Sequence, residues 1–249
     1  MPYYIALFAG YAVALTGWWG IHQGWLRWPI PDSPRFEHPW REVGYAFVAV
    51  VGVLIVGQVF MQGWLLPEPD EAWWAPLTAS LNQGLIFAPM LGMLLVRRQG
   101  RASAWVPCDR VGARTALGFG LGLCAMAAFL LVHRPGLAYA TVLAEVYAWG
   151  NLPHAVQVFL EDLTIAIVFV RLRAGLGTLW TTVLVASLFA AGHIPAMLSG
   201  GEPMAEFVPL LADATLGTGI ILVLQRSRDI LWFWPVHFAM DMMQFYGTT

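Results

Sequence analysis

Long apolar stretches alternate with short polar or proline-containing linkers along almost the whole chain. A helix needs roughly 20 apolar residues to cross the hydrocarbon core of a bilayer, and eight segments of about that length are present. The pattern therefore predicts an all-α integral membrane protein, a bundle of about eight transmembrane helices. The predicted spans cover 3–21, 43–66, 77–96, 115–132, 154–170, 176–193, 205–224 and 230–245.

Composition supports the membrane class and excludes several others. Of the 249 residues, 59% are hydrophobic and 11% are charged, and the mean hydropathy is +0.65; soluble domains carry about 25% charged residues. A net charge of −2 excludes the basic footprint of a nucleic-acid-binding protein. Cys108 and Cys124 are too few for a disulfide framework or a thiolate metal site. We therefore expect the lipid bilayer, and not nucleic acid, as a partner.

The arginines predict how the spans are oriented. Linkers 1–2, 3–4, 5–6 and 7–8 contain 12 of the 13 basic residues, all arginine, and the remaining linkers contain only Arg134. Short cytoplasmic loops are enriched in basic residues. We therefore predict a multi-pass protein of the cell (inner) membrane with both termini on the non-cytoplasmic side. The semi-apolar stretch 134–153 is expected to be interfacial or re-entrant, and the run Gly118–Gly122 is expected to pack helices together.

Ionisable residues inside the predicted spans are few and all occur in the last four spans. Such a side chain at mid-span costs about 2.5–3.5 kcal/mol on insertion scales, so it usually has a function. His237 and Asp241 are four residues apart, so we expect them to touch and the carboxylate to orient the imidazole. Glu161 and Asp162 point about 100° apart, so one of them is expected to support the other. The set is Glu161, Asp162, His193, Asp213, His237 and Asp241.

This set fits water activation for hydrolysis, a metal site or a proton relay, and structural roles are the alternatives. His193 could be an interface histidine at a helix end, and the pair His237 and Asp241 could be a structural hydrogen bond between helices. Asp213 is expected to have a structural or pairing role. His154 lies near the predicted membrane interface, where histidine is common.

Three short motifs carry a family resemblance. They are Glu161-Asp162-Leu163, Phe189-Ala-Ala-Gly-His193 and His237-Phe-Ala-Met-Asp241, each on its own predicted span. In order and spacing they resemble the Glu-Glu-x-x-x-Arg, Phe-x-x-x-His and His-x-x-x-Asn/Asp motifs of the CPBP (CAAX protease and bacteriocin-processing) intramembrane peptidases. The resemblance covers about 113–246. It implies two regions, three N-terminal spans in 1–112 and a CPBP-like core of spans 4–8 in 113–249.

The resemblance implies catalytic roles for four residues. Glu161 corresponds to the essential glutamate, His193 to the histidine that helps to activate the attacking water, and His237 with Asp241 to the pair that stabilises the oxyanion. Because an ionised aspartate cannot donate a hydrogen bond, His237 is expected to be the donor and Asp241 its orienting partner. No cofactor is required, but zinc held by the glutamate, the histidines and the aspartate remains open. The supporting motif residues are Asp162 and Phe189.

The first motif departs from the family pattern. Asp162 replaces its second glutamate, Ala166 stands where its arginine belongs, and Arg171 follows five residues later, where we expect the cytoplasmic interface. Two functions therefore remain. The chain is either an intramembrane endopeptidase acting on a membrane-proximal or tail segment of a protein or peptide, or an inactive relative acting as a subunit or assembly factor of a larger membrane complex. A proton-coupled carrier is a third, less favoured hypothesis, because the chain has no inverted repeat.

The predicted orientation places the site in the outer half of the membrane. Span 5 enters from the arginine-poor side, with Glu161 about 10 Å deep at 1.5 Å per residue. Spans 6 and 8 run outward and bring His193 and His237 toward the same side. A substrate is then expected to be the membrane-proximal tail of an exported protein and not a prenylated cytoplasmic protein.

Overall fold

The computed structural model describes residues 2–67, 72–192, 194, 197 and 209–246. Ten α-helices lie within these residues, which confirms the predicted all-α class. A π-helical turn, His22–Leu26, extends α1, and 3₁₀ turns occupy Arg101–Ala104 and Trp149–Asn151. The helices are α1 Pro2–Ile21, α2 Pro39–Met61, α3 Ala75–Ile86, α4 Ala88–Val96, α5 Val111–His133, α6 Tyr139–Val146, α7 Leu152–Leu176, α8 Thr178–Ala191, α9 Pro209–Ser227 and α10 Ile230–Tyr246.

Three helices in the described ranges are long and apolar enough to cross a membrane. They are α1 with its π turn (Tyr3–Leu26), α2 and α5. Helices α3 and α4 together make a fourth candidate, but their axes bend by 54°. Every predicted span overlaps a helix, yet eight crossings are not confirmed. One reason is length, because α8 and α10 have 14 and 17 residues, and a straight crossing takes roughly 20.

The bend between α3 and α4 has a local cause. Pro89 has no backbone N–H, so it cannot donate the helical hydrogen bond to the carbonyl of Leu85. Helix α3 accordingly ends at Ile86, and α4 begins at Ala88 with a proline in its first turn. The segment predicted as one straight span, 77–96, is therefore two helices joined at Phe87.

The centre of the bundle is α10, which packs along α5 and against α7. Helix α10 is apolar around most of its circumference, and eleven of its 17 residues are buried. Trp232 is fully buried, and its indole stacks on Trp18 of α1 with ring centroids 5.1 Å apart. Helix α7 also contacts α2, α3 and α8, and α8 packs against α9. Helices α7 and α10, which carry most of the candidate site, are thus held from several sides.

Glycines of α5 set how closely α10 approaches. A Cβ atom on Gly118 would lie 2.2 Å from the carbonyl oxygen of Trp232 and 2.9 Å from Cδ of Pro235. A Cβ atom on Gly122 would lie 3.0 Å from the carbonyl oxygen of Pro235. Small residues let membrane helices approach to backbone contact. The predicted packing role of this glycine run is consistent with these distances.

Buried ion pairs connect the elements near the arginine-rich linkers. Arg114 of α5 donates to Asp229 at 2.6 Å and to Asp109 at 2.9 Å, and Arg114 and Asp229 are both buried. The hydrogen bond from Arg114 lowers the pKa of Asp109 below its ordinary value. These bonds tie the loop before α5 to the linker before α10.

A second buried network surrounds Glu42 of α2. Its carboxylate accepts hydrogen bonds from Arg97 and Gln99, each at 2.6 Å. Arg171, which the sequence places near the cytoplasmic interface, is fully buried at this end of α7. It hydrogen-bonds Gln99 and the carbonyl oxygen of Ile167, and its Nε lies 3.8 Å from Glu42.

Four arginines beside helix ends adopt the left-handed backbone conformation. Arg27 follows the π turn, Arg98 follows α4, Arg110 precedes α5 and Arg228 follows α9, with φ between 37° and 50°. Glycine is the usual residue at such positions because it has no Cβ. All four lie in the arginine-rich linkers.

The glycine packing predicts opposite results for two neighbouring substitutions. Gly118→Ala should destabilise the protein by about 1–3 kcal/mol, because its methyl group would overlap the backbone of Trp232. Gly120→Ala, on the same helix but with open space around its Cβ position, should leave stability unchanged or slightly raised. Thermal unfolding in detergent, followed by tryptophan fluorescence, measures both. Equal stability of the two variants would contradict the close approach of α5 and α10.

Candidate functional site

A cavity of about 570 Å³ lies between α1, α7, α8, α9 and α10. Aliphatic side chains and Phe189 and Phe233 form much of its wall, so the polar groups in it work in apolar surroundings. Acidic, imidazole, amide and phenol groups all reach it. The polar lining residues are Tyr3, Tyr4, Tyr11, His154, Gln157, Glu161, Asp162, Asp213, His237, Asp241 and Gln244.

His237 is held by a carboxylate from the facing helix. Its Nδ1 lies 2.9 Å from Oδ1 of Asp162, which is buried on α7. The imidazole also contacts the rings of Phe189 and Phe233, with centroid separations of 6.2 Å and 5.5 Å. A carboxylate at Nδ1 fixes the ring orientation and stabilises the protonated ring, and it leaves Nε2 available.

Asp241 does not orient His237, which corrects the role that the sequence predicts for it. Asp241 instead pairs with Nε2 of His154 and accepts a hydrogen bond from Gln244 at 2.8 Å. The reason is the facing helix: α7 and α10 run antiparallel, so residues 154 and 162 of α7 meet residues 241 and 237 of α10. Each imidazole therefore finds a carboxylate across the interface and not one turn along its own helix. Asp162, and not Asp241, orients His237.

Glu161 has surroundings different from those of its neighbour Asp162. Its Oε1 accepts a hydrogen bond from Gln157, one turn earlier on α7, at 2.8 Å. Both carboxylates line the cavity, but Asp162 is bound to His237 and nearly inaccessible. Glu161 is more accessible and has the better position to meet a bound molecule.

The other predicted site residues fall in different places. Phe189 of α8 lines the cavity and contacts His237. Asp213 of α9 lines it as well. His193, predicted as a catalytic residue, lies outside the described residues. Three of the four predicted catalytic residues, Glu161, His237 and Asp241, thus line one cavity.

The sequence reasoning missed two contributions. One is His154, which forms the second carboxylate–imidazole pair. It lies seven residues before Glu161 on the same helix face, but its place near the predicted membrane interface, where histidine is common, argues against a role in the site. The other is the N-terminal helix, whose contribution comes from tyrosines, which are neutral and do not stand out in an apolar span. Tyr11 is buried against Phe233, and Tyr3 and Tyr4 also line the cavity. The candidate site is therefore not confined to the C-terminal half of the chain.

The described residues include only part of the predicted zinc ligand set, because His193 lies outside them. Over the part of the chain that the structure describes, no three histidine, cysteine, aspartate or glutamate side chains form a group that could hold a metal ion. The two imidazoles in the cavity are each directed to one carboxylate.

No protein-family model, curated protein or solved structure matches the chain. What the cavity offers is one accessible glutamate and two imidazoles, each held by an aspartate, in an apolar enclosure. Such groups can move protons and can stabilise a developing negative charge.

The carboxylate–imidazole pairs predict a spectroscopic difference between two variants. In protein labelled with ¹⁵N-histidine, the Nδ1–H signal of His237, assigned by its loss in His237→Gln, should lie downfield because of its bond to a carboxylate. Asp162→Ala should remove this downfield signal, and Asp241→Ala should retain it. The opposite pattern would restore the pairing of His237 with Asp241 within α10.

Proposed function

We propose that the protein is an intramembrane endopeptidase resembling the CPBP family, which hydrolyses a peptide bond in a membrane-proximal or tail segment of a protein or peptide. The observation that supports the proposal is the meeting of Glu161, Phe189 and His237, one residue from each motif, around one cavity. These residues lie on three different helices, so the motif order in the sequence did not require them to meet.

In the proposed reaction, Glu161 is the general base. Its carboxylate takes a proton from a water molecule as the water oxygen bonds to the carbonyl carbon of the substrate. The carbonyl oxygen becomes an oxyanion, toward which Nε2–H of the protonated His237 donates. The carbon–nitrogen bond then breaks and Glu161 gives its proton to the leaving amine, which leaves a carboxylic acid product and an amine. By the family resemblance, His193 assists the attacking water.

Asp162 positions His237 in this scheme. A carboxylate at Nδ1 favours the imidazolium, which is the form that can donate from Nε2. The apolar wall formed by Phe189 and Phe233 strengthens that donation, because electrostatic interactions are stronger where water is excluded. Asp241, paired with His154 near the beginning of α7, also lines the cavity but does not orient His237 in this scheme.

We also propose eight membrane-crossing segments with both termini on the non-cytoplasmic side of the cell membrane. The cavity is lined by Tyr3 and Tyr4 at the beginning of α1, whereas Trp19 and His22 near its end lie beside arginines of α7 and α9. The cavity is therefore nearer the arginine-poor end of the bundle. By the positive-inside rule that end faces outward, and the substrate is then the membrane-proximal tail of an exported protein.

A second candidate function is that of an inactive subunit or assembly factor. The family motif has an arginine at the position that Ala166 occupies in this chain, and Ala166 is fully buried. Among the described residues, no arginine lines the cavity. Arg171 does not replace it, because its guanidinium is engaged with Gln99 and the carbonyl of Ile167. The carboxylates near His237 therefore lack the counter-charge of the family pattern.

Loss of the proposed base gives the direct test. Glu161→Gln should lower cleavage about 10²–10⁴-fold, because the amide cannot accept the water proton. The measurement is mass spectrometry of new protein termini in membranes that contain the wild type or the variant. Glu145→Gln, which makes the same change at an exposed residue outside the cavity, should cleave like the wild type.

The results separate the two functions. Termini that depend on the wild type and vanish in Glu161→Gln support the peptidase. Equal termini in both would remove Glu161 from the mechanism. No termini dependent on the wild type, together with stable co-purification of other membrane proteins, would favour the subunit.

Cysteine accessibility tests the proposed orientation. In a background in which Cys108 and Cys124 are replaced by serine, Ala138→Cys should react with a membrane-impermeant thiol reagent in intact cells. Ser33→Cys should react only after lysis, because it lies in an arginine-rich linker. Both positions are exposed, so accessibility within the protein does not confound the comparison. The reverse pattern would place the cavity toward the cytoplasm.

A further inference from the structure

A second pocket, of about 470 Å³, lies at the other end of α1 from the candidate active site. Trp18 and Trp19 of α1 line it, about 22 Å along the helix from Tyr3 at 1.5 Å per residue. The last turns of α7 and α9 supply Arg173 and Arg226. The pocket therefore lies between three helices that also line the cavity around His237. The pocket and that cavity share no lining residue.

The charge of this pocket is positive and is not balanced by its own lining. It contains three guanidinium groups, Arg173, Arg226 and Arg228, and among the described residues no carboxylate lines it. Asp229 is adjacent in sequence but bonds Arg114 at 2.6 Å. Asp32 interacts electrostatically with Arg228 but is not among the residues that line the pocket.

Arg228 shows the effect of this imbalance. Burial, and then the like charge of Arg173, lower the pKa of Arg228 below its ordinary value. One of its terminal nitrogens donates to the carbonyl of Pro31 at 2.6 Å, and its buried Nε has no hydrogen-bond partner within the described residues. An anion in the pocket would relieve the repulsion between the two arginines.

The pocket at the other basic cluster differs in this respect. It is lined by Arg35, Arg41 and Arg97, but also by Glu37 and Glu42. Arg97 bonds Glu42 directly. In that pocket, glutamates of the lining therefore neutralise part of the positive charge. The lining of the pocket beside Arg226 has no such carboxylate among the described residues.

We propose that the pocket lined by Arg173, Arg226 and Arg228 binds the phosphate group of an anionic phospholipid. Guanidinium groups match phosphate oxygens in charge and in hydrogen-bond geometry. A lipid is favoured over a soluble phosphate by position: the pocket lies at the end of the candidate span Tyr3–Leu26 and is walled by tryptophans. Tryptophan is enriched at the depth of lipid headgroups, and basic pockets between membrane helices recognise such headgroups.

Arg226 is the best single probe of the pocket. Its guanidinium lies 5.4 Å above the ring of Trp19, which is 41% exposed, and its side chain is exposed. Changing it therefore removes charge from the pocket without opening a buried ion pair. Arg98, an exposed arginine in another arginine-rich linker and outside the pocket, provides a control with the same change of charge.

Native mass spectrometry of the delipidated full-length protein in detergent tests the proposal. Phosphatidylglycerol, phosphatidylcholine and inorganic phosphate are titrated against the wild type, Arg226→Gln, Arg173→Gln and Arg98→Gln. We expect phosphatidylglycerol to bind the wild type and Arg98→Gln equally and to bind each pocket variant about fivefold more weakly. Unfolding temperatures without lipid identify any variant that fails to fold.

Three results would overturn the proposal. Equal affinity for phosphatidylglycerol and phosphatidylcholine would show that the pocket does not select an anionic headgroup. Equal binding by Arg226→Gln and Arg98→Gln would show that the pocket is not the site. Occupancy by inorganic phosphate at the same concentration as phosphatidylglycerol would show a soluble phosphate ligand in place of a lipid. None of these results depends on proteolytic activity.

Discussion

The cost of removing charge from water determines how the helices of this chain fit together. A buried ion without a partner costs several kcal/mol, and removing one member of a buried pair costs about 3–5 kcal/mol. Arg114 meets Asp229 and Asp162 meets His237, and in each pair the residues are more than 70 positions apart. Each pair forms only when two particular segments of the chain have the correct register. The few charges in an apolar bundle therefore specify an arrangement that non-directional hydrophobic contacts leave open.

Close packing and polar pairing depend on each other at α10. Gly118 lets the backbone of Trp232 approach α5, and this contact fixes the depth of α10 in the bundle. About 1.4 turns later the same helix presents His237 to Asp162 of α7. Because an imidazole–carboxylate hydrogen bond tolerates only a few tenths of an ångström, the glycine contact on one face of α10 and the histidine contact on the other must be satisfied together.

The positions of the helices could be predicted from the sequence because apolar stretches long enough for a helix are visible without any tertiary information. The partners of the polar residues could not be predicted. The spacing of His237 and Asp241 is compatible with a contact on one helix, and only the antiparallel placement of α7 shows that each has a different partner. The break between α3 and α4 at Phe87 could be predicted from Pro89, which interrupts the helical hydrogen bonds. The hydropathy pattern alone does not show it, because the residues on both sides are apolar.

The helix N-terminal to the motifs shows a second limit of sequence reasoning. Tyr11 carries no charge and looks like any other aromatic residue of an apolar span, so nothing in its local sequence connects it with the acidic residues of α7. Its place in the cavity follows from the packing of α1 against α5 and α10. Neutral polar side chains on distant helices become part of a site only through the tertiary fold.

The left-handed arginines at the helix ends have a consequence for how the protein is made. An L-residue in this conformation costs about 1–2 kcal/mol, a cost that glycine avoids. Arg27, Arg98, Arg110 and Arg228 therefore lower the stability of the finished fold. Positive charge next to a span acts earlier, while the nascent chain is being inserted and its orientation is decided. Under the topology proposed above, these arginines set the orientation of the spans during insertion and retain in the finished protein a strain that glycine would avoid.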